Sequence, residues 1–181
     1  MKIFKNYILP LIICAVLVLI DQLIKLIVVD KIELAKEVPV ISDAVVLTYL
    51  KNTGAAWSFM AGKTIILVII SVIVIGALGY FYKNLLIDNK YMILRVCIIF
   101  IIGGAIGNMI DRIRLGYVVD YIYFKIINFP VFNFADICVT VCMFLMVILL
   151  LFRFNSKDMQ VLLGEDPDKD KDKDKDKTEK E

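Results

Sequence analysis

The sequence has no histidine. That absence removes the Ser–His pair, the HExxH zinc site and the imidazole general base together. A hydrolase built on this chain must use carboxylates, or Ser with Lys. Cysteine is scarce as well. Cys14, Cys97, Cys138 and Cys142 all fall inside apolar runs, with no pair in a loop. They read as small core hydrophobes, so neither a disulfide framework nor a metal site is expected. No basic stripe interleaved with aromatics occurs, and nucleic acid is not an expected partner. The first apolar run follows Lys2 and Lys5 but lacks a small-residue cleavage site and outlasts a signal-peptide core. It is expected to stay as a membrane span.

What is present is apolar. The chain of 181 residues is 60% hydrophobic, with mean hydropathy +0.81. Soluble domains lie nearer 45–50%. Residues 8–29, 64–82, 91–110 and 134–152 each approach the roughly 20 apolar residues that a helical span needs. The expected fold is therefore an all-α membrane protein of four spans. Most of the charge sits at the end, in DPDKDKDKDKDKTEKE (166–181), which has no apolar residue to bury. We expect a four-span membrane domain over 1–158 and a disordered, charged cytoplasmic tail over 159–181. Lys2, Lys5, Lys83, Lys90, Arg95, Arg153 and Lys157 crowd short segments on one side of the spans. The other side carries as many Lys and Arg on longer loops. Density and the N-terminal pair put both termini in the cytoplasm.

Between the first two spans, AVVLTYLKN (44–52) is β-branched and aromatic and bounded by turn residues. It reads as a strand of a small sheet at the membrane surface. Between the last two spans, Tyr117, Tyr121, Tyr123, Phe124, Phe129 and Phe132 suit an interfacial belt, on a short loop or helix.

Several polar residues stand where hydrocarbon is expected. Asp21 and Lys25 are four apart inside the first span, on one helix face. They read as a structural ion pair, or as the floor of a site. Asn52 and Gly54 follow the strand and form either a plain turn or a polar clamp on an extended peptide. Asn108 closes an uninterrupted apolar run, where an amide must find a partner. Asp111 lies three residues on, and Arg112 follows. Asn133 can cap the fourth span, with Asp136 at its third position near the positive dipole end. That accounts for Asp136 but not for Asp120, set between Val119 and Tyr121. The third span runs out and the fourth returns, so both aspartates reach one membrane face. Two carboxyls held close share a proton and split their titrations, giving one acid and one base without histidine.

DQLIK (21–25), NTGAAWSF (52–59), GNMIDR (107–112), VVDY (118–121) and FNFAD (132–136) together resemble the lipoprotein signal peptidase family, also called signal peptidase II. The resemblance covers residues 8–152. It implies a four-span aspartic endopeptidase of the bacterial cytoplasmic (inner) membrane, with its site near the outer face and no cofactor. It implies lipidated prolipoproteins as substrates, cut N-terminal to the diacylglyceryl-modified cysteine. It also implies membrane lipid as a partner and peptide antibiotics such as globomycin as inhibitors. Asp120 and Asp136 match the family's catalytic pair. Asn52, Gly54, Asn108, Arg112 and Asn133 match its substrate-cleft positions. Trp57 stands where Phe is common, and Cys142 where Gly is usual. Two other readings remain at this point. One is a Ser–Lys protease using Ser58 with Lys63 or Lys51. The other is a small proton- or ion-coupled transporter, with Asp21, Lys25 and the outer aspartates as its path.

Overall fold

The computed structural model describes residues 3–42, 44–54 and 63–165. Trp57, Ser58 and the tail 166–181 lie outside the described residues. Long apolar runs without interior proline give helices α1 (Leu9–Lys31), α2 (Thr64–Asn84), α3 (Met92–Leu115) and α4 (Phe134–Phe152). Pro10 lies just after a π-helical turn, Phe4–Ile8, that runs into α1, so its missing N–H falls where the helix changes its hydrogen-bond pattern. The 4 helices are long and apolar enough to cross a membrane. The third is the central one: 56% of its span is buried inside the protein, against 22%, 6% and 17% for the others.

The β-branched segments pair above one end of this bundle. Strands β1 (Glu37–Ile41), β2 (Val45–Asn52) and β3 (Val118–Phe124) form an antiparallel sheet in the order β1-β2-β3. The segment between α3 and α4 is thus a strand followed by a 3₁₀ turn at Lys125–Ile127, where a loop or helix was expected. The reason is that VVDYIYF is itself β-branched and aromatic and finds an open edge on β2. Leu50 lies opposite Asp120, and Asn52 opposite Val118. Val28 of α1 packs with Tyr49, Val119 and Tyr121, which seats the sheet on the bundle.

At the other end, α5 (Ser156–Leu163) folds back on α2. Asn155 caps it, and buried Asp158 takes Lys90 Nζ at 2.6 Å and the Tyr91 hydroxyl at 2.8 Å. The ordered chain therefore runs past the boundary drawn after residue 158. The sequence of α5 is too short and mixed to announce a helix; its capping box and its ion pair with Lys90 hold it.

Candidate active site

Side chains from α1, β2, α3, β3 and α4 meet where the bundle touches the sheet. Asp120 rides on β3 and is 1% exposed. Its Oδ2 accepts Asn52 Nδ2 at 2.8 Å, and its Oδ1 accepts Asn133 Nδ2 at 2.7 Å. The Asn52 amide cannot turn over, because its oxygen accepts the Gly54 N–H at 2.9 Å. Asp136 is held from the helix side. Asn133 caps α4 by accepting the Asp136 N–H at 2.9 Å, and Asp136 Oδ2 accepts the Asn133 N–H at 3.1 Å. This reciprocal capping box fixes the carboxyl at the start of α4. Its other oxygen accepts Asn108 Nδ2 at 2.7 Å. Asn133 therefore contacts both aspartates, and it is completely buried.

Beneath these groups lies a buried ion cluster. Lys25 Nζ is 2.8 Å from Asp21, 2.9 Å from Asp111 and 2.8 Å from the Asn108 oxygen. Gln22 Nε2 donates to Asp111 Oδ1 at 2.9 Å. Both carboxylates reach onward to backbone. Asp21 accepts the N–H of Ala135, next to Asp136, at 3.2 Å. Asp111 accepts the N–H of Val119, next to Asp120, at 3.1 Å. One lysine with two acids thus ties the helix start and the strand that carry the two upper aspartates. The approach of helices that allows this depends on small residues. A Cβ on Gly104 would come within 2.5 Å of the Ala135 oxygen, and one on Gly107 within 2.5 Å of Asp21 Oδ2.

The two tiers differ in charge pairing. Asp21, Asp111 and Asp158 each have a lysine within ion-pair distance. Among the described residues, Asp120 and Asp136 are bonded only to amides. Burial, then the charge of Asp136, pushes the Asp120 carboxyl from its ordinary 3.8 up to about 7. Arg112 is close enough to act electrostatically on Asp136, Asp120 and Asp111 without ion-pairing to them. Sequence reasoning gave no role to Gln22, and noted Asp111 only for its helix face. The available signal was an amide beside Asp21 and a carboxylate one helical turn beyond Gly107.

These features define a multi-pass membrane protein with a carboxylate pair at one end of the bundle, Asp120 buried and Asp136 half-buried. The family model described as "Signal peptidase (SPase) II" matches residues 13–152. The chain is 41% identical over 131 residues to a lipoprotein signal peptidase of Halothermothrix orenii, covering 72% of this chain and 86% of that one. It is 36% identical over 155 residues to the lipoprotein signal peptidase of Clostridium acetobutylicum, covering 83% and 99%. A solved bacterial membrane enzyme superposes with TM-score 0.72 at 34% identity, over 80% of this chain and 88% of that one. The chain belongs to the signal peptidase II family, and is a bacterial membrane peptidase. Membership in a peptidase family decides against the ion-coupled transporter.

Proposed function

We propose that this protein is an aspartic endopeptidase that removes signal peptides from prolipoproteins, cutting before the diacylglyceryl-modified cysteine. The observation that carries the reading is the pair Asp120–Asp136. Withdrawing a carboxylate from water without a cation is unfavourable, and here a buried one and a half-buried one from different elements share one amide residue, Asn133. Such a pair is stable when it holds one proton between two carboxyls.

Asp120, which titrates near neutrality, keeps that proton and acts as the acid. Asp136 acts as the base. A water between them loses a proton to Asp136 as its oxygen attacks the scissile carbonyl. Asp120 gives its proton to the carbonyl oxygen. The tetrahedral diol collapses as the C–N bond breaks. The leaving nitrogen takes the proton from Asp136, and Asp120 recovers its own from the hydroxyl. Asn52, Asn108 and Asn133 keep the carboxyls in register through this exchange. Arg112 and the edge near Gly54 hold the extended peptide. The ion pair Asp21–Lys25, extended by Asp111, positions the pair without touching substrate. With both termini in the cytoplasm, as the dense Lys/Arg flanks argue, the dyad lies near the outer face.

The test is cleavage of a lipidated precursor by purified protein in lipid, with the new N-terminus read by mass spectrometry. The expected product begins at the lipidated cysteine. Asp120→Asn and Asp136→Asn should each abolish cleavage while eluting as folded protein. Retention of more than about a hundredth of the rate by either variant would remove the dyad, since losing an acid or base costs typically 10²–10⁴-fold.

A further inference from the structure

The end of the bundle away from the sheet holds a feature that peptide cleavage does not use. Arg95 lies in the first turn of α3 and is 8% exposed. It makes no hydrogen bond and no ion pair with any described residue; its charge acts on the Tyr82 hydroxyl. Among the described residues no buried side-chain nitrogen lacks a partner, so the guanidinium nitrogens stay reachable from outside. A nearly buried, unpaired arginine at a membrane face is unfavourable unless an anion completes it.

One helical turn further along the same face, Ile99 and Ile102 form the wall of an uncharged groove of about 210 Å³. Leu11 and Cys14 of α1 and Gly79 and Tyr82 of α2 line its opposite sides, with Asn6, Tyr7 and Pro10 of the N-terminal segment completing it. The spacing 95, 99, 102 follows one helix stripe, so the groove leads along α3 from Arg95 toward the membrane interior. Gly79 leaves the groove open, since a Cβ there would meet nothing within 4 Å. Two lysines are chain neighbours of lining residues. Lys5 directly precedes Asn6, whose carbonyl accepts the Tyr82 hydroxyl, and Lys83 directly follows Tyr82. Neither lysine has an ion pair among the described residues, whereas Lys90 nearby in sequence is already taken by Asp158.

We propose that this groove is a binding site for one anionic phospholipid: Arg95 holds the phosphate and an acyl chain lies between α1, α2 and α3. The guanidinium fork matches two phosphate oxygens, basic pockets between spans hold anionic headgroups in this way, and the uncharged wall suits an alkyl chain. The occupant is committed by both halves. A free phosphate satisfies Arg95 but leaves the groove empty, and a neutral diacylglycerol does the reverse. The site is separate from the dyad, so its test does not depend on the cleavage chemistry.

The experiment is native mass spectrometry of the full chain in detergent, titrated with phosphatidylglycerol, phosphatidylcholine, diacylglycerol or inorganic phosphate. A single phosphatidylglycerol adduct should saturate at about tenfold lower concentration than phosphatidylcholine, with no comparable adduct from the other two. Arg95→Gln should weaken that adduct by about tenfold or more, because a charge-assisted bond is lost. Gly79→Leu should block it by filling the groove. Lys5→Gln with Lys83→Gln should weaken it only a few-fold, which separates a built site from surface charge. Monodisperse elution and an unchanged melting temperature report that each variant is folded. Should Arg95→Gln fail that control, Gly79→Leu decides the question alone. Equal binding of the charged and zwitterionic lipids, or an undiminished adduct in Gly79→Leu, would overturn the proposal.

Discussion

Asp120 meets two conflicting requirements. In the proposed mechanism it must be buried to reach a carbonyl in a dry site, and burial disfavours the charge it would carry in water. The result is a carboxyl pushed up to about 7, first by burial and then by Asp136. As the acid of the pair it must be protonated, so cleavage should fall as pH rises past about 7, approaching tenfold per unit. Asn52 opposes the shift, because its amide bonds the charged form at 2.8 Å. Asn52→Ala should lower the maximal rate and move the alkaline limb to higher pH. A pH–rate profile in lipid measures both, and an unmoved limb would detach Asn52 from the titration. Stability carries the same sign. The unfolded carboxyl titrates near 3.8 and the folded one near 7. Between these values the folded state holds the extra proton, so this group's contribution to stability is lost as pH rises through that window. Asp120→Asn removes the penalty. The inactive variant should melt higher than the parent at pH 8, and the difference should close toward pH 4. Thermal unfolding in detergent at the two pH values checks it; a lower melting point for the variant at pH 8 would mean that the lost bonds from Asn52 and Asn133 outweigh the relieved charge.

At the scale of elements, the site depends on how closely α3 approaches α1 and α4. Gly104 faces the Ala135 carbonyl, a backbone atom that cannot swing aside. Gly104→Ala should therefore push α4 away, at a cost of about 1–3 kcal/mol, and take Asp136 out of reach of Asn108. Gly76 faces open space, so Gly76→Ala should leave melting and cleavage unchanged. Melting temperature and cleavage rate measured on both variants give the contrast; equal behaviour would show that helix approach is not what the α3 glycine provides. The helices themselves were legible because length and hydropathy are local properties. So was the start of α4, since an Asn followed three residues later by Asp announces a cap. Strand β2 was legible from AVVLTYLKN. Strand β3 was not, because its pairing partner lies on the far side of two spans and Asp120 interrupts its apolar pattern. The same limit applies to the polar network. Asp21 and Lys25 announce themselves as i and i+4 on one helix. That Lys25 also reaches Asp111, or that Asn133 caps a helix and bonds Asp120 as well, depends on three-dimensional packing that no local pattern contains.

The whole molecule sets the depth at which chemistry occurs. Both aspartates stand where spans end and the sheet begins, so under the proposed mechanism a substrate must bring its scissile bond to that level. A water-soluble peptide gains nothing from the bilayer. A diacylated residue gains about 0.8 kcal/mol for each buried CH₂, and its chains hold the neighbouring peptide bond at one height. Confinement to the membrane plane then replaces much of the translational entropy a free peptide would lose. Under the proposed function the anchored residue also sets the cut: the bond beside it, on the signal-peptide side, is the one held against the dyad. Precursor without diacylglycerol should therefore not be cleaved at a useful rate, even at saturating concentration. Anchoring alone would raise KM, whereas a correctly placed bond raises kcat as well, so the lipid should affect both. Lipidated and unlipidated precursors incubated side by side with enzyme in lipid give the comparison. Equal rates would make lipid irrelevant to recognition and leave a general membrane aspartic peptidase. A change confined to KM would reduce the acyl chains to an anchor that does not place the bond.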